Sequence, residues 1–176
     1  MRIDTPLKGF IIRDATVADV PLILSFIREL AEYEGLLAEV VATEHGLREN
    51  LFGSRRHAEV IIGEWNQEAV AFALFFHNFS TFLGRPGFYL EDLYVRSRAR
   101  GKGIGRTMLG YLASLAQERG CGRLDWWVLD SNAPAVAFYR SVGAVPMDAW
   151  TVQRLSGKAL ERLAQSFRGG SGADGC

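Results

Sequence analysis

Apolar positions along this chain recur with two different periods, and the switches between them mark the elements. Phe10 to Arg13 alternates as a short strand. From Val20 the period changes: Val20, Ile23, Leu24, Ile27, Leu30 and Ala31 share one face of a helix. Thr16 to Asp19 offers capping side chains for its start, Pro21 is tolerable in its first turn, and Tyr33-Glu34-Gly35 ends it. A second helix is predicted over Thr43 to Leu51. Ala58 to Glu64 and Ala69 to His77 then read as a hairpin around the polar turn Trp65-Asn66-Gln67-Glu68. Ser80 to Gly87, with two glycines and Pro86, reads as a loop.

The next stretch organises the chain. Phe88 to Val95 reads as a buried strand, weighted by Leu90, Leu93 and Val95. Arg100-Gly-Lys-Gly-Ile-Gly105 follows, and Ile104, Met108, Leu112 and Leu115 then recur at helical spacing. Gly120 and Gly122 stop that helix, and Arg123 to Leu129 is the next predicted strand. Asp130-Ser131-Asn132 offers N-cap chemistry for a helix through Ser141, with Pro134 in its first turn and Gly143 after it. Trp150 to Leu155 is predicted as a last strand and Lys158 to Phe167 as a terminal helix. Residues 1–167 thus read as one domain, followed by a Gly-rich tail, 168–176, expected to be disordered.

Charge narrows the function. Lysine plus arginine equals aspartate plus glutamate, 20 against 20, which argues against a general nucleic-acid binder. The longest apolar run, Ala69 to Phe76, is too short to span a bilayer, and the Met-Arg-Ile-Asp-Thr-Pro start shows no secretory signal. A cytoplasmic setting is expected. Cys121 and Cys176 have no metal-ligand spacing, His45, His57 and His77 form no ligand pattern, and no metal is expected.

A glycine turn feeding a helix N-terminus presents free N–H groups and the positive end of the helix dipole, so the Arg100 to Gly105 segment reads as an anion site, most naturally for phosphate. It lacks the Gly-Lys-Ser/Thr of a P-loop and the G-x-G-x-x-G of a dinucleotide fingerprint. Arg100-x-x-Gly103-x-Gly105 instead resembles the acyl-CoA pyrophosphate loop of the GNAT N-acetyltransferases. Asn132-Ala-Pro-Ala-Val-Ala-Phe-Tyr139-Arg-Ser-Val-Gly-Ala144 resembles the helix and turn that those enzymes carry after it. With Ile12 to Thr16, Glu29 to Glu34 and Tyr89 to Val95, roughly residues 10–155 resemble the spermidine/spermine (diamine) acetyltransferase branch and its thialysine-acetylating relatives.

The resemblance implies an α/β (α+β) fold: a mixed central sheet splayed at its middle, with helices on both faces and acetyl-CoA entering the split as co-substrate. Leu93, Tyr94 and Val95 would pair with the pantetheine arm; Arg100, Gly101, Lys102, Gly103, Ile104, Gly105 and Arg106 would hold the pyrophosphate; Asn132, Ala133, Pro134 and Ala135 would touch the cofactor from the other side. Tyr139 would be the acid for the leaving thiolate, and Glu91 would bind the amine or accept its proton through water. Tyr33, Glu34 and Trp150 match residues lining the amine site, and a homodimer is implied, with Trp150 to Leu155 at or across its interface.

The residues themselves leave alternatives. Tyr139 could cap the core, Tyr33 and Glu34 could simply finish a helix, and Trp150 could be a core or interface tryptophan. Glu91 and Asp92 are strand neighbours, so alternation predicts opposite faces, one toward substrate and the other a structural ion-pair partner. The chain also departs from a polyamine enzyme. Gly35-Leu36-Leu37-Ala38 and Asn78-Phe-Ser-Thr-Phe82 lack the acid expected there, which favours a smaller primary amine such as a lysine-like amino acid. Two functions compete: an acetyl-CoA-dependent amine N-acetyltransferase, and a catalytically silent acyl-CoA-binding module of the same fold.

Overall fold

A computed structural model of the chain describes residues 1–169. It separates into two compact units, Met1–Val136 and the residues from Ala137 onward. In the first unit six strands form one open mixed sheet whose spatial order follows the chain: β1 (Arg2–Asp4), β2 (Phe10–Asp14), β3 (Glu59–Trp65), β4 (Glu68–Ser80), β5 (Arg85–Val95) and β6 (Leu124–Trp126). The first five are antiparallel neighbours; β6 joins β5 in parallel. The β3–β4 turn places Asn66 and Gln67 at φ 50° and 69°, both positive, as a two-residue turn matched to strand twist requires.

Helices α1 (Val20–Tyr33) and α3 (Ile104–Glu118) lie on opposite faces of the sheet. Phe26 of α1 stacks on Phe72 at 5.1 Å and meets Tyr94 edge-on, on one face. Phe75 and Phe88 pair at 5.0 Å on the other, where Arg119 at the end of α3 covers Phe88. The apolar stripe of α3 is buried at Ile104, Met108, Leu112 and Leu115, as its spacing predicts. Helix α2 (Glu44–Phe52) starts at Thr43, whose side chain accepts from the Gly46 N–H at 3.1 Å. Ahead of α1, Thr16 and Asp19 make the capping box, and Arg13 fixes that turn by a fork onto the Asp19 carboxylate at 2.8 Å for both bonds. That pairing holds the Asp19 carboxyl down at about 2.

Several sequence expectations change. Arg2–Asp4 is a strand, stabilised as the edge partner of β2, although its three residues carry almost no pattern. β4 and β5 extend into the Ser80 to Gly87 segment from both ends, leaving residues 81–84 as the turn. Pro86 fits the strand opposite Phe79 because a pairing site that needs no N–H suits proline, and its carbonyl accepts from the Gly122 N–H at 2.8 Å. β6 spans only part of Arg123 to Leu129.

In the second unit, Trp150 to Leu155 is not a strand. Its alternation is real, but no ladder joins it to another strand among the described residues, and alternation alone does not hold β structure. Helix α4 (Ala133–Ser141) runs across the boundary between the units, and α5 (Gly157–Gly169) starts and ends near the predicted helix. The expected disordered tail overlaps α5 at Arg168 and Gly169; its remainder, 170–176, lies outside the described residues. No helix among the described residues is long and apolar enough to cross a membrane.

Candidate active site

The sheet opens where the sequence reading expects a split. β6 pairs only with Phe88, Tyr89 and Leu90, so the Glu91–Val95 edge of β5 extends past the end of β6. At the same point β5 carries one extra residue: Leu90 faces Phe75, Asp92 faces Leu74, and Glu91 is the bulged position between them. A bulge bends its strand and aims side chains that strict alternation would separate. Beyond Val95 the chain makes a short 3-10 turn and enters the glycine loop. Gly101 and Gly103 take φ of 74° and 82°, a left-handed conformation costly to other residues, and a side chain at either would project into open space. Gly103 is the N-cap of α3, so the free N–H groups of the first helical turn face that clear space. The loop and the open β5 edge therefore fit a phosphate-bearing, strand-like ligand.

Helix α1 supplies the other wall. Its last turn closes with Gly35 N–H on Glu32 O at 3.1 Å and Leu36 N–H on Ala31 O at 2.7 Å, the paired bonds of a glycine-terminated helix. This turn fixes Tyr33 and Glu34 beside β5. The Arg100 side chain folds back across the gap: its Nε donates to Val95 O at 2.9 Å, and its guanidinium lies 4.2 Å from the Tyr33 ring centroid. The Tyr33 hydroxyl in turn donates to Asn132 Oδ1 at 3.5 Å, and Asn132 also caps α4 by accepting from the Ala135 N–H at 3.3 Å. Lys102 leans over Trp65, 5.0 Å from the ring. Thus Arg100 spends its side chain on β5 and α1, while the glycines that follow remain clear.

Three carboxylates share one electrostatic neighbourhood. Glu34 is half-buried, and burial pushes its carboxyl above the usual range. Asp92 is pushed up to about 7, first by burial and then by the negative charges of Glu91 and Glu34. No cation stands within ion-pair distance of Asp92 or Glu91 among the described residues, so the expected structural ion pair is absent at both. The clean separation of Glu91 from Asp92 to opposite faces also fails, because the bulge interrupts alternation there. Asp92 is the functional candidate that sequence reasoning undervalued. Its signal was present: two adjacent acids in an otherwise apolar strand.

Tyr139 and Trp150 belong to the second unit. Tyr139 packs against Phe138 at 5.2 Å, and its backbone carbonyl accepts from Val142 and Ala144 where α4 ends. Trp150 is largely exposed and follows a turn bonded to Met147.

A mixed sheet opened beside a glycine-capped helix defines the acyltransferase class of α/β fold, and comparison with known proteins bears that out. An integron cassette protein from the mobile metagenome of V. cholerae superposes with a TM-score of 0.76 over 89% of this chain and 98% of that one, at 28% identity. The chain belongs to the acetyltransferase (GNAT) family, whose model matches residues 26–144, and it is an N-acetyltransferase. Thialysine N-epsilon-acetyltransferase of Bos taurus is 35% identical across 87% of this chain and 96% of its own length. L-ornithine N5-acetyltransferase of Arabidopsis thaliana is 32% identical across 86% of each.

Proposed function

We propose that this protein transfers the acetyl group of acetyl-CoA to a small primary amine, an acceptor of thialysine or ornithine type in preference to spermine. The observation that carries this reading is the trio Glu34, Glu91 and Asp92, with Asp92 pushed up to about 7 at the break in the sheet. An alkylammonium has a pKa of about 10.4 and must lose a proton before it can attack. A carboxylate poised near neutrality, with no cation at ion-pair distance among the described residues, both attracts the ammonium and can take that proton.

Acetyl-CoA, when bound, supplies the activated acetyl thioester. The glycines of the loop, with Lys102, Ile104 and Arg106, receive its pyrophosphate. The open edge of Leu93, Tyr94 and Val95 receives its strand-like arm, and Asn132 to Ala135 flank it. Glu91 and Asp92 hold the amine and move its proton, directly or through water, with Tyr33, Glu34 and Trp150 lining the amine side. The amine nitrogen forms the bond to the acetyl carbon as the carbon–sulfur bond breaks, and Tyr139 gives the departing sulfur its proton. Residues 1–167 act as one domain, and the working form is a homodimer.

Acceptor size follows from charge. Each added cation of spermidine or spermine requires a nearby carboxylate to offset its lost hydration. Glu34, Glu91 and Asp92 serve one reacting amine, whereas Leu36, Leu37 and Ala38 offer nothing to further cations. The test is thiol release from acetyl-CoA with thialysine, ornithine, putrescine, spermidine and spermine at one ionic strength. A short amine or amino-acid acceptor should show the highest kcat/KM. Spermine as the best of the five overturns the acceptor assignment, and no release with any amine overturns the enzymatic one.

A further inference from the structure

The glycine loop is braced by the β3–β4 hairpin. Glu68, which opens β4, pairs with Arg98 in the 3-10 turn just ahead of the loop. Trp65, which closes β3 opposite Glu68, meets Lys102 in the loop itself, with the ammonium 5.0 Å from the ring centroid. The indole is fixed in its turn. It is half-buried, stands opposite Phe10 on β2, and has the Gly9 backbone along its edge, where an added side chain would come within 3.7 Å of Trp65 Nε1. The Asn66 N–H donates to Gly9 O at 2.9 Å and closes that corner.

The cations around the loop are held in different ways. Arg96 forks onto Glu29 at 2.8 and 3.0 Å and Arg98 pairs with Glu68, so carboxylates take up their charge. Arg100 turns back onto Val95 O and Tyr33. Lys102 is exposed between two glycines of positive φ, and no carboxylate is at ion-pair distance from it among the described residues. A lysine in such a place would ordinarily spread over many rotamers. An aromatic face restrains an ammonium without neutralising it, because the attraction comes from the ring quadrupole and not from a full opposite charge.

We infer that Trp65 is a positioning residue for acetyl-CoA: it holds the Lys102 ammonium beside the loop with its charge intact, ready for the phosphates of the donor. The inference rests on the reading of the loop as the acetyl-CoA pyrophosphate site. Binding then needs less ordering of a long side chain, and the whole charge of the ammonium is available to the incoming anion. Trp65 acts through Lys102, so its effect falls on affinity for the phosphate-bearing end of the donor. The transfer of the acetyl group, at the other end, is untouched.

The experiment measures acetyl-CoA affinity by titration calorimetry in the wild type, Trp65→Leu, Lys102→Met and the double variant. It also measures kcat/KM for S-acetylpantetheine, an acyl donor without phosphates. We expect Trp65→Leu to weaken acetyl-CoA binding about two- to fivefold, the scale of an exposed cation–π contact, and Lys102→Met to weaken it about tenfold or more. With Lys102→Met in place, Trp65→Leu should cost nothing further. In Trp65→Leu, kcat/KM for S-acetylpantetheine should stay within about twofold of wild type. Unchanged acetyl-CoA affinity in a folded Trp65→Leu overturns the inference. A loss of the same size on top of Lys102→Met overturns it in favour of direct contact between Trp65 and the ligand. An equal loss with S-acetylpantetheine overturns it in favour of general damage to the fold. Should Trp65→Leu not fold, Trp65→Phe carries the test, since it keeps a weaker ring face: its affinity should fall by less than that of Lys102→Met, and only while Lys102 is present. No binding of acetyl-CoA by the wild type overturns the parent reading instead.

Discussion

The glycine loop and the carboxylate corner lie at the two ends of one five-residue strand segment, yet they are built in contrary ways. The loop is locally self-sufficient. Gly101 and Gly103 adopt conformations natural to glycine, α3 caps on Gly103, and nothing crowds the space in front. The corner is a collective compromise. Glu34 comes from the end of α1, Glu91 and Asp92 from a bulge in β5, and the charges of Glu34 and Glu91 oppose that of Asp92. A site for a constant phosphate can be written into a few residues. A site that must both bind and deprotonate a cation is assembled from distant ones and held in a less stable state.

The largest effect expected from breaking this contrast lies in the loop. Gly103→Asp should weaken acetyl-CoA binding by roughly 100-fold, since a carboxylate would face the pyrophosphate and spoil charged hydrogen bonds worth about 1.5–3 kcal/mol each. Gly103→Asn tolerates positive φ without adding charge, and titration calorimetry on both variants separates strain from repulsion. Equal affinity in wild type and a folded Gly103→Asp would remove the phosphate role. Next comes Tyr139→Phe, which deletes only a hydroxyl: kcat should fall about 100-fold in steady-state kinetics, with an unchanged melting temperature.

Asp92→Asn sharpens the corner. Wild-type kcat/KM should rise with pH through about 7 as Asp92 ionises, and that limb should vanish in the variant. Stability runs the other way. A carboxyl raised from 3.8 to about 7 binds its proton more tightly when folded, so the fold loses stability as pH rises between those values. At roughly 1.4 kcal/mol per unit the loss is at most about 4 kcal/mol, and less where solvent reaches the group. Asp92→Asn should therefore melt higher than wild type at pH 8, with the difference shrinking toward pH 4. Identical pH dependence in both proteins would show that Asp92 carries no such burden. The smallest effect is a control outside both regions: Thr43→Ala removes the α2 cap, lowering stability by about 1 kcal/mol in urea denaturation without touching kcat.

What the chain discloses in advance follows the same divide. The loop, the apolar stripe of α3 and the hairpin about Asn66 and Gln67 are legible because each is fixed by neighbours in sequence. The family follows from those motifs and from the Asn132 to Ala144 segment. The bulge at Glu91 is not legible, because an extra residue in a ladder exists only relative to the partner strand. For the same reason Asp92 reads as a structural acid until its surroundings are known. The recoil of Arg100 onto Val95 and Tyr33 depends on where α1 happens to end. Trp150 to Leu155 shows the converse error, a strand-like pattern that joins no ladder among the described residues.

The unbroken strand order has a kinetic consequence. Because β1 to β5 are joined in sequence as antiparallel neighbours, most of the sheet can zip from the β3–β4 hairpin outward, closing only short stretches of chain between β3, β4 and β5. β6 must wait for α3 to form and pack before it can dock, as β2 must wait for α1 and α2, but β6 then gains just three rungs where β2 gains five on β3. That seam should be the last to assemble and the first to open, so amide protons at Leu124–Trp126 should exchange well before those of β3 and β4. The cleft thus borders the most easily parted joint in the sheet, and a ligand lodged there would slow its opening.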